Sequence, residues 1–242
     1  MALLSAKSII VRFGGINALD RASIEVQPGM VTGLIGPNGA GKTTFFNVIT
    51  GLQHPNNGQV LFEGHDITST SPYRRARMGI ARTFQKLEAF SSLSARDNIL
   101  VAAEQRSTRD RSGERPAKIA DDLLARVGLE EVANLMVGTL PTGTARLVEL
   151  ARALATGPKL LLLDEPSSGL DDNETEAMAA LLRDLVTDGL AVLLVEHDMS
   201  FVMGTCAHIN VLDFGRIIAS GPCTALREDA RLREAYLGRA SV

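Results

Sequence analysis

Residues 36–44 read Gly36-Pro37-Asn38-Gly39-Ala40-Gly41-Lys42-Thr43-Thr44, and no other stretch constrains the fold as tightly. Three glycines let a backbone curl round a polyphosphate with successive N–H groups pointing inward, because no Cβ intervenes. Lys42 then reaches the β- and γ-phosphates, and the Thr43 hydroxyl is placed to ligate Mg²⁺. The flanks agree with that geometry. Val31–Ile35 is a short apolar strand pattern, and Phe45–Ile49 continues the loop as a helix whose positive N-terminal end favours an anion. Strand, wrapping loop and helix in this order predict a sheet-based α/β nucleotide core.

The rest of the composition narrows the class. A chain of 242 residues with 45% apolar and 22% charged residues supports one sizeable globular core. The formal net charge of −3 carries no global basic excess, which argues against nucleic acid as the ligand. The two cysteines, Cys206 and Cys223, lie in no metal or redox spacing and read as reduced thiols. The N-terminus lacks the basic-then-apolar order of a signal peptide. The longest apolar runs, Leu160–Leu163 and Leu190–Val195, are strand-sized, whereas a spanning helix needs about 20 apolar residues. Any membrane role would therefore act through a partner.

Along the chain, Ser8–Phe13 and Ala22–Val26 read as strands joined at a Gly14-Gly15 turn. Gln59–Phe62 reads as another, after the breaker run Pro55-Asn56-Asn57-Gly58. Pro72–Met78 reads as a short arginine-rich helix. Ala95–Ala103 and Ala117–Val127 have apolar residues at helical spacings, with a charged loop or helix end at 105–116 between them. Leu160–Leu163 and Ala191–Val195 have the unbroken apolar character of buried parallel strands. Glu174–Val186 reads as a helix, and Ile209–Phe214 with Arg216–Ser220 as a final strand pair turning at Gly215.

The second informative motif is Lys159-Leu160-Leu161-Leu162-Leu163-Asp164-Glu165-Pro166. A buried strand here delivers Asp164 to its carboxyl end, where it can hold Mg²⁺, and places Glu165 one residue on as general base for an attacking water.

The pairing of Gly36–Thr44 with Asp164-Glu165-Pro166 resembles the ATP-binding subunits of ABC transporters, and further stretches follow in that family's order. Arg82-Thr83-Phe84-Gln85 resembles its glutamine loop, Ser167-Ser168-Gly169-Leu170-Asp171 its aspartate loop, and Val195-Glu196-His197-Asp198 its switch histidine. The resemblance covers nearly the whole chain. It implies a P-loop NTPase fold with an antiparallel β subdomain, a core lobe of residues 1–86 and 157–242, and an inserted helical lobe of residues 87–156. It implies ATP and Mg²⁺ as cofactors, with Phe13 stacking on adenine. Gln85 joins Thr43 and Asp164 as a Mg²⁺ or water ligand, and His197 bonds the γ-phosphate. Asp171 is either a contact across a dimer interface or the N-cap of the helix that follows it.

One stretch departs from the pattern. In this family the phosphate loop of one subunit faces a Leu-Ser-Gly-Gly-Gln signature from a second. Here the matching residues are Leu140-Pro141-Thr142-Gly143-Thr144. Pro141 stands in place of the serine and Thr144 in place of the glutamine. Leu140 and Gly143 remain, Thr142 and Thr144 supply hydroxyls, and the loop still opens a helix whose N–H groups favour an anion. Either the loop tolerates proline and works, or the site it completes hydrolyses poorly.

Phe13–Leu19, Val31–Ile35, Phe46–Gly51, Gly79–Gln85 and Ala235-Tyr236-Leu237-Gly238 resemble one branch of the family, the ATPases of branched-chain amino acid importers. This implies a second ATP-binding subunit, the same or more often different, beneath integral membrane permeases, with a binding protein delivering substrate outside. The implied location is cytoplasmic, peripheral on the inner face of the plasma membrane. Residues 86–94 are the expected contact with the permease. Urea, amide and lipopolysaccharide systems share the pattern, and soluble relatives such as iron–sulfur assembly ATPases are the competing class.

Overall fold

The computed structural model describes residues 1–110 and 114–226. In chain order the elements are β1 (Leu4–Phe13), β2 (Ile16–Val26), β3 (Val31–Ile35), α1 (Lys42–Thr50), β4 (Asn57–Phe62), β5 (His65–Asp66), α2 (Pro72–Met78) and β6 (Ile80–Arg82). There follow α3 (Ala95–Asp110), α4 (Pro116–Arg126), two single 3₁₀ turns, α5 (Thr142–Ala155), β7 (Leu160–Asp164), α6 (Asp172–Thr187), β8 (Ala191–Val195), α7 (Met199–Thr205), β9 (His208–Asp213), β10 (Arg216–Pro222) and α8 (Cys223–Leu226). Strands β2-β1-β4-β5 form an antiparallel sheet. Strands β10-β9-β3-β8-β7-β6 form a second sheet, parallel apart from β10.

The central parallel strands β3, β7 and β8 are buried along their whole length because both faces are covered. Their side chains alternate between two cores. Leu34, Leu160, Leu162, Leu193 and Val195 pack with α1 and the antiparallel sheet. Val31, Ile35, Leu161, Leu163, Val192 and Leu194 pack with α5, α6 and α7. A third core joins α3, α4 and α5 through Ile99, Ala120, Leu124, Val148 and Ala151. Helix α5 borders two of these cores: Ala145, Val148, Ala151 and Ala155 face the helical side, and Leu150, Ala153 and Leu154 the sheet. Cys206 and Cys223 are both buried.

Several boundaries differ from the sequence reading. β1 begins at Leu4 and β2 at Ile16, each several residues before the expected start. β4 begins inside the predicted breaker run, at Asn57. The reason is a bulge: β1 shifts register between Lys7 and Ile10, and a Cβ on Gly58 would lie 2.6 Å from the Ser8 carbonyl. Gly58 (φ 101°) therefore permits close approach of two strands instead of ending one. Helix α3 runs on to Asp110, so the first half of the charged stretch at 105–116 is helical. Ala235–Gly238 lie outside the described residues.

Candidate functional site: the carboxyl edge of the parallel sheet

Strand β3 ends at Ile35 and the chain turns at once. Gly36 has no room for a side chain, since a Cβ there would lie 2.1 Å from the Leu212 carbonyl of β9. Gly39 and Gly41 both take positive φ, 82° and 110°, and Gly41 is the N-cap of α1. The Ala40 N–H closes the turn on the Pro37 carbonyl at 3.2 Å. Lys42 folds back over it, its Nζ donating to the carbonyls of Gly36 (2.6 Å) and Pro37 (3.0 Å). Burial holds the Lys42 ammonium below its ordinary pKa, while the negative charges of Glu165 and Asp164 oppose that shift. Thr43 is exposed and Asn38 and Gly39 stand at the loop's tip, also exposed. Thr44 is half-buried in the first turn of α1.

Strand β7 delivers Asp164, buried, to the same edge. The next residue, Glu165, adopts a left-handed backbone with φ 51°, a conformation an L-residue takes at a cost of about 1–3 kcal/mol. Its N–H still bonds the Val195 carbonyl at 2.9 Å, so the strained residue is anchored to β8. Its carboxylate is held from two sides. Gln85 Nε2 donates to Oε2 at 3.0 Å, and His197 Nε2 lies 2.8 Å from Oε1. Gln85, Glu165 and His197, from three separate segments, thus form one cluster.

Residues beyond the expected set complete this edge. Glu196 is buried; its carboxylate accepts from the Ser167 N–H (2.8 Å), the Ser167 hydroxyl (2.6 Å) and the His197 N–H (2.9 Å). It thereby ties the segment after Glu165 to the one carrying His197. Arg82 pairs with Asp164 at 2.9 Å. The available signal was an acidic or basic residue adjoining a motif residue at the end of an apolar strand. Asp171 caps α6 through a reciprocal capping box: Oδ1 accepts from the Glu174 N–H (2.8 Å) and Glu174 Oε2 from the Asp171 N–H (2.9 Å).

The signature stretch packs against the aspartate loop, where a Cβ on Gly169 would lie 3.6 Å from Thr142 Cγ2. Pro141 is the N-cap of α5 and offers no side-chain cap. Thr142 is exposed, and Leu140 and Thr144 are half-buried. A Cβ on the buried Gly143 would lie 2.5 Å from Glu174 Oε1, so the glycine makes room for that carboxylate. Phe13 ends β1 with its side chain 52% exposed, a free aromatic surface beside a tight turn.

Thr43, Asp164 and Gln85 offer hydroxyl, carboxylate and amide oxygens, a hard donor set that suits Mg²⁺. No cluster of three or more His, Cys, Asp or Glu side chains able to hold a metal occurs among the described residues. Phosphate oxygens and waters would have to complete such a shell, as is usual for Mg²⁺ beside a polyphosphate. The residues fit the ion.

The profile of the ABC transporter family matches residues 19–168. The chain is 37% identical to the high-affinity branched-chain amino acid transport ATP-binding protein BraF of Pseudomonas aeruginosa, over 98% of both chains. It is 36% identical to the corresponding LivG protein of Escherichia coli K12, again over 98% of both. The lipopolysaccharide export system ATP-binding protein LptB of Escherichia coli K12 is 33% identical over the same share. Among solved structures, a nucleotide-free ATP-binding cassette from an ABC transporter superposes with TM-score 0.87 at 31% identity, over 98% of this chain and 99% of that one. No helix among the described residues is long and apolar enough to cross a membrane. The strand-end acids, the glycine-wrapped phosphate loop and these full-length similarities converge: the chain belongs to the ABC transporter family, as one of its ATP-binding cassettes.

Proposed function

We propose that this cassette binds and hydrolyses ATP with Mg²⁺ to energise an importer of branched-chain amino acids. The observation that carries the catalytic reading is Glu165, strained, anchored to β8 and gripped by Gln85 and His197 at the end of β7. In this reading the loop Gly36–Thr44 cradles the phosphates and Phe13 stacks on adenine. Lys42 leaves the Gly36 and Pro37 carbonyls for the phosphates, and Glu165 takes the proton of the attacking water. Thr43, Asp164 and Gln85 would hold Mg²⁺, and the ion would supply charge neutralisation for phosphoryl transfer. Leu140, Thr142, Gly143 and Thr144 serve the phosphates of a second cassette, whose own signature serves these.

Full-length identity to BraF and LivG supports the amino acid assignment. The permease partner would dock where residues 86–94 meet the core. A cleft of about 390 Å³ lies there, lined by Leu52, Arg75, Phe84, Phe90, Val101 and Arg152 among others. The location follows from that partnership: the inner face of the plasma membrane, held by the permease. The helical lobe, residues 87–156, is the part that would follow the permease.

The test is purification of the tagged chain from its own membranes, then reconstitution with whatever integral proteins accompany it. Expected are ATP-dependent uptake of leucine, isoleucine or valine, and loss of ATPase by about 10²–10⁴-fold in Glu165→Gln. Unchanged ATPase removes Glu165 from the base role. Copurification with soluble partners alone removes the transport role, and uptake of no branched-chain amino acid removes the substrate.

A further inference from the structure

We propose that Arg82 is a positioning residue for the reaction: it fixes the Asp164 carboxylate and ties it both to the helix behind the phosphate loop and to the Gln85 segment. The inference rests on the reading that this site takes Mg²⁺ with a nucleotide.

Arg82 is the last residue of β6 and pairs in register with Leu162 of β7, two residues before Asp164. Its side chain and that of Asp164 are 6% and 7% exposed. Nη2 donates to Asp164 Oδ2 at 2.9 Å, and Nη1 donates to Asn47 Oδ1, on α1, at 2.6 Å. The guanidinium also faces two rings, with its carbon 5.3 Å from the centre of Phe46 and 4.8 Å from that of Phe84. Its buried Nε has no partner among the described residues. Two acceptors and two rings, not full use of its donors, therefore set its orientation.

A buried ion pair is poor value as a stabiliser, since well-packed apolar residues in its place are often neutral or better. What a planar, stacked guanidinium does supply is direction. With Oδ2 engaged, Oδ1 is the Asp164 oxygen left for the cation or its water. Three residues along the same segment, Gln85 donates to Glu165. Residues 82 and 85 thus hold two adjacent acids, Asp164 and Glu165, and a shift of that one short segment would move both.

The test is ATP binding to the full chain by titration calorimetry, in EDTA and again in excess Mg²⁺. For Arg82→Met, affinity in EDTA should stay within about twofold of wild type, while the enhancement by Mg²⁺ falls by about tenfold. Arg82→Lys should fail to restore it, because an ammonium neither stacks nor forks in this way. Asn47→Ala removes one anchor without leaving a charge unpaired, and should lose part of the enhancement with the same melting temperature. It carries the test if Arg82→Met does not fold. An unaltered enhancement in the folded variants, or an equal loss with and without Mg²⁺, overturns the inference and makes Arg82 a packing residue. If wild-type protein itself shows no enhancement, the underlying reading of the site falls, and this inference with it.

Discussion

His197 Nε2 lies 2.8 Å from Glu165 Oε1, closing one side of a carboxylate whose other oxygen is held by Gln85. Each oxygen of the proposed base has one partner and keeps a second lone pair, so an attacking water can bond it while Gln85 and His197 hold its orientation. His197 lies on the segment after β8 and Gln85 on the segment after β6. The base is therefore held by segments from opposite sides of β7.

Replacing His197 by Ala should lower the maximal ATPase rate by about 10²-fold, with ATP affinity little changed. Phosphate release under saturating ATP measures the first, and equilibrium titration the second. A parallel loss of both would mean that His197 organises binding and not turnover.

Pro141 does not distort the start of α5. The residue already has the extended backbone of an N-cap (φ −54°, ψ 152°), so the helix opens normally. Pro141→Ser adds a hydroxyl acceptor for the first turn, worth about 1 kcal/mol, but restores about 0.4–1 kcal/mol of unfolded-state freedom, so stability should change little. ATPase of the assembled transporter should change by no more than about threefold. A large gain would show instead that the native site is impaired.

Gly143→Ala should destabilise the chain by about 1–3 kcal/mol, because its Cβ would meet the Glu174 carboxylate at 2.5 Å. Adding Glu174→Ala should recover part of that loss by removing the obstacle. Chemical denaturation of the two single variants and the double variant measures the coupling.

Arg75 is almost wholly buried, and its donors reach five carbonyls: Val48, Ile49, Ile67, Thr68 and Thr70, at 2.6–2.9 Å. Two of these lie in the last turn of α1, where carbonyls lack the usual i+4 donors, although Val48 also accepts the Gly51 N–H at 3.2 Å. Burial draws the guanidinium pKa down to about 10. Arg75→Leu should cost about 3–5 kcal/mol, seen as a lower melting temperature.

Glu149 is buried on α5, and desolvation raises its carboxyl pKa, while its bond from the Glu88 N–H acts the other way. The folded state thus holds this proton more tightly than the unfolded one. That contribution to stability is full below the ordinary value of 4.5 and is lost as pH rises through the folded pKa. Glu149→Gln stays neutral and keeps the acceptor. It should be more stable than wild type at neutral pH, the gap closing below pH 4.5 in thermal melts.

These residues also mark how far the sequence could be read. Gly36–Thr44, Asp164 and Glu165 were legible because their chemistry is written in consecutive residues. Gln85 and His197 carried weak local signals, and only their order along the chain singled them out. Arg75 lay in a helix correctly bounded by pattern, yet its partners at Val48 and Ile49 are 27 and 26 residues away, beyond any local window. Arg82 stood inside a quoted motif with no role, since its meaning depends on Asn47, Phe46 and Asp164 meeting in space. The early start of β1 was missed because its register shift is absorbed by Gly58 of another strand.

The Leu212 carbonyl behind Gly36 has a consequence for dissection of the chain. The family profile ends at residue 168, and every motif residue proposed to face phosphate lies before 198. Yet the back wall of the cradle is β9, and the Gly215 N–H bonds the Ala40 carbonyl at 2.9 Å from the turn beyond it. A fragment truncated after His197 would keep every one of those motif residues and lose the surface against which the loop is moulded. The smallest autonomous unit for nucleotide binding therefore extends past residue 215, well beyond the last residue that touches phosphate in the proposed mechanism.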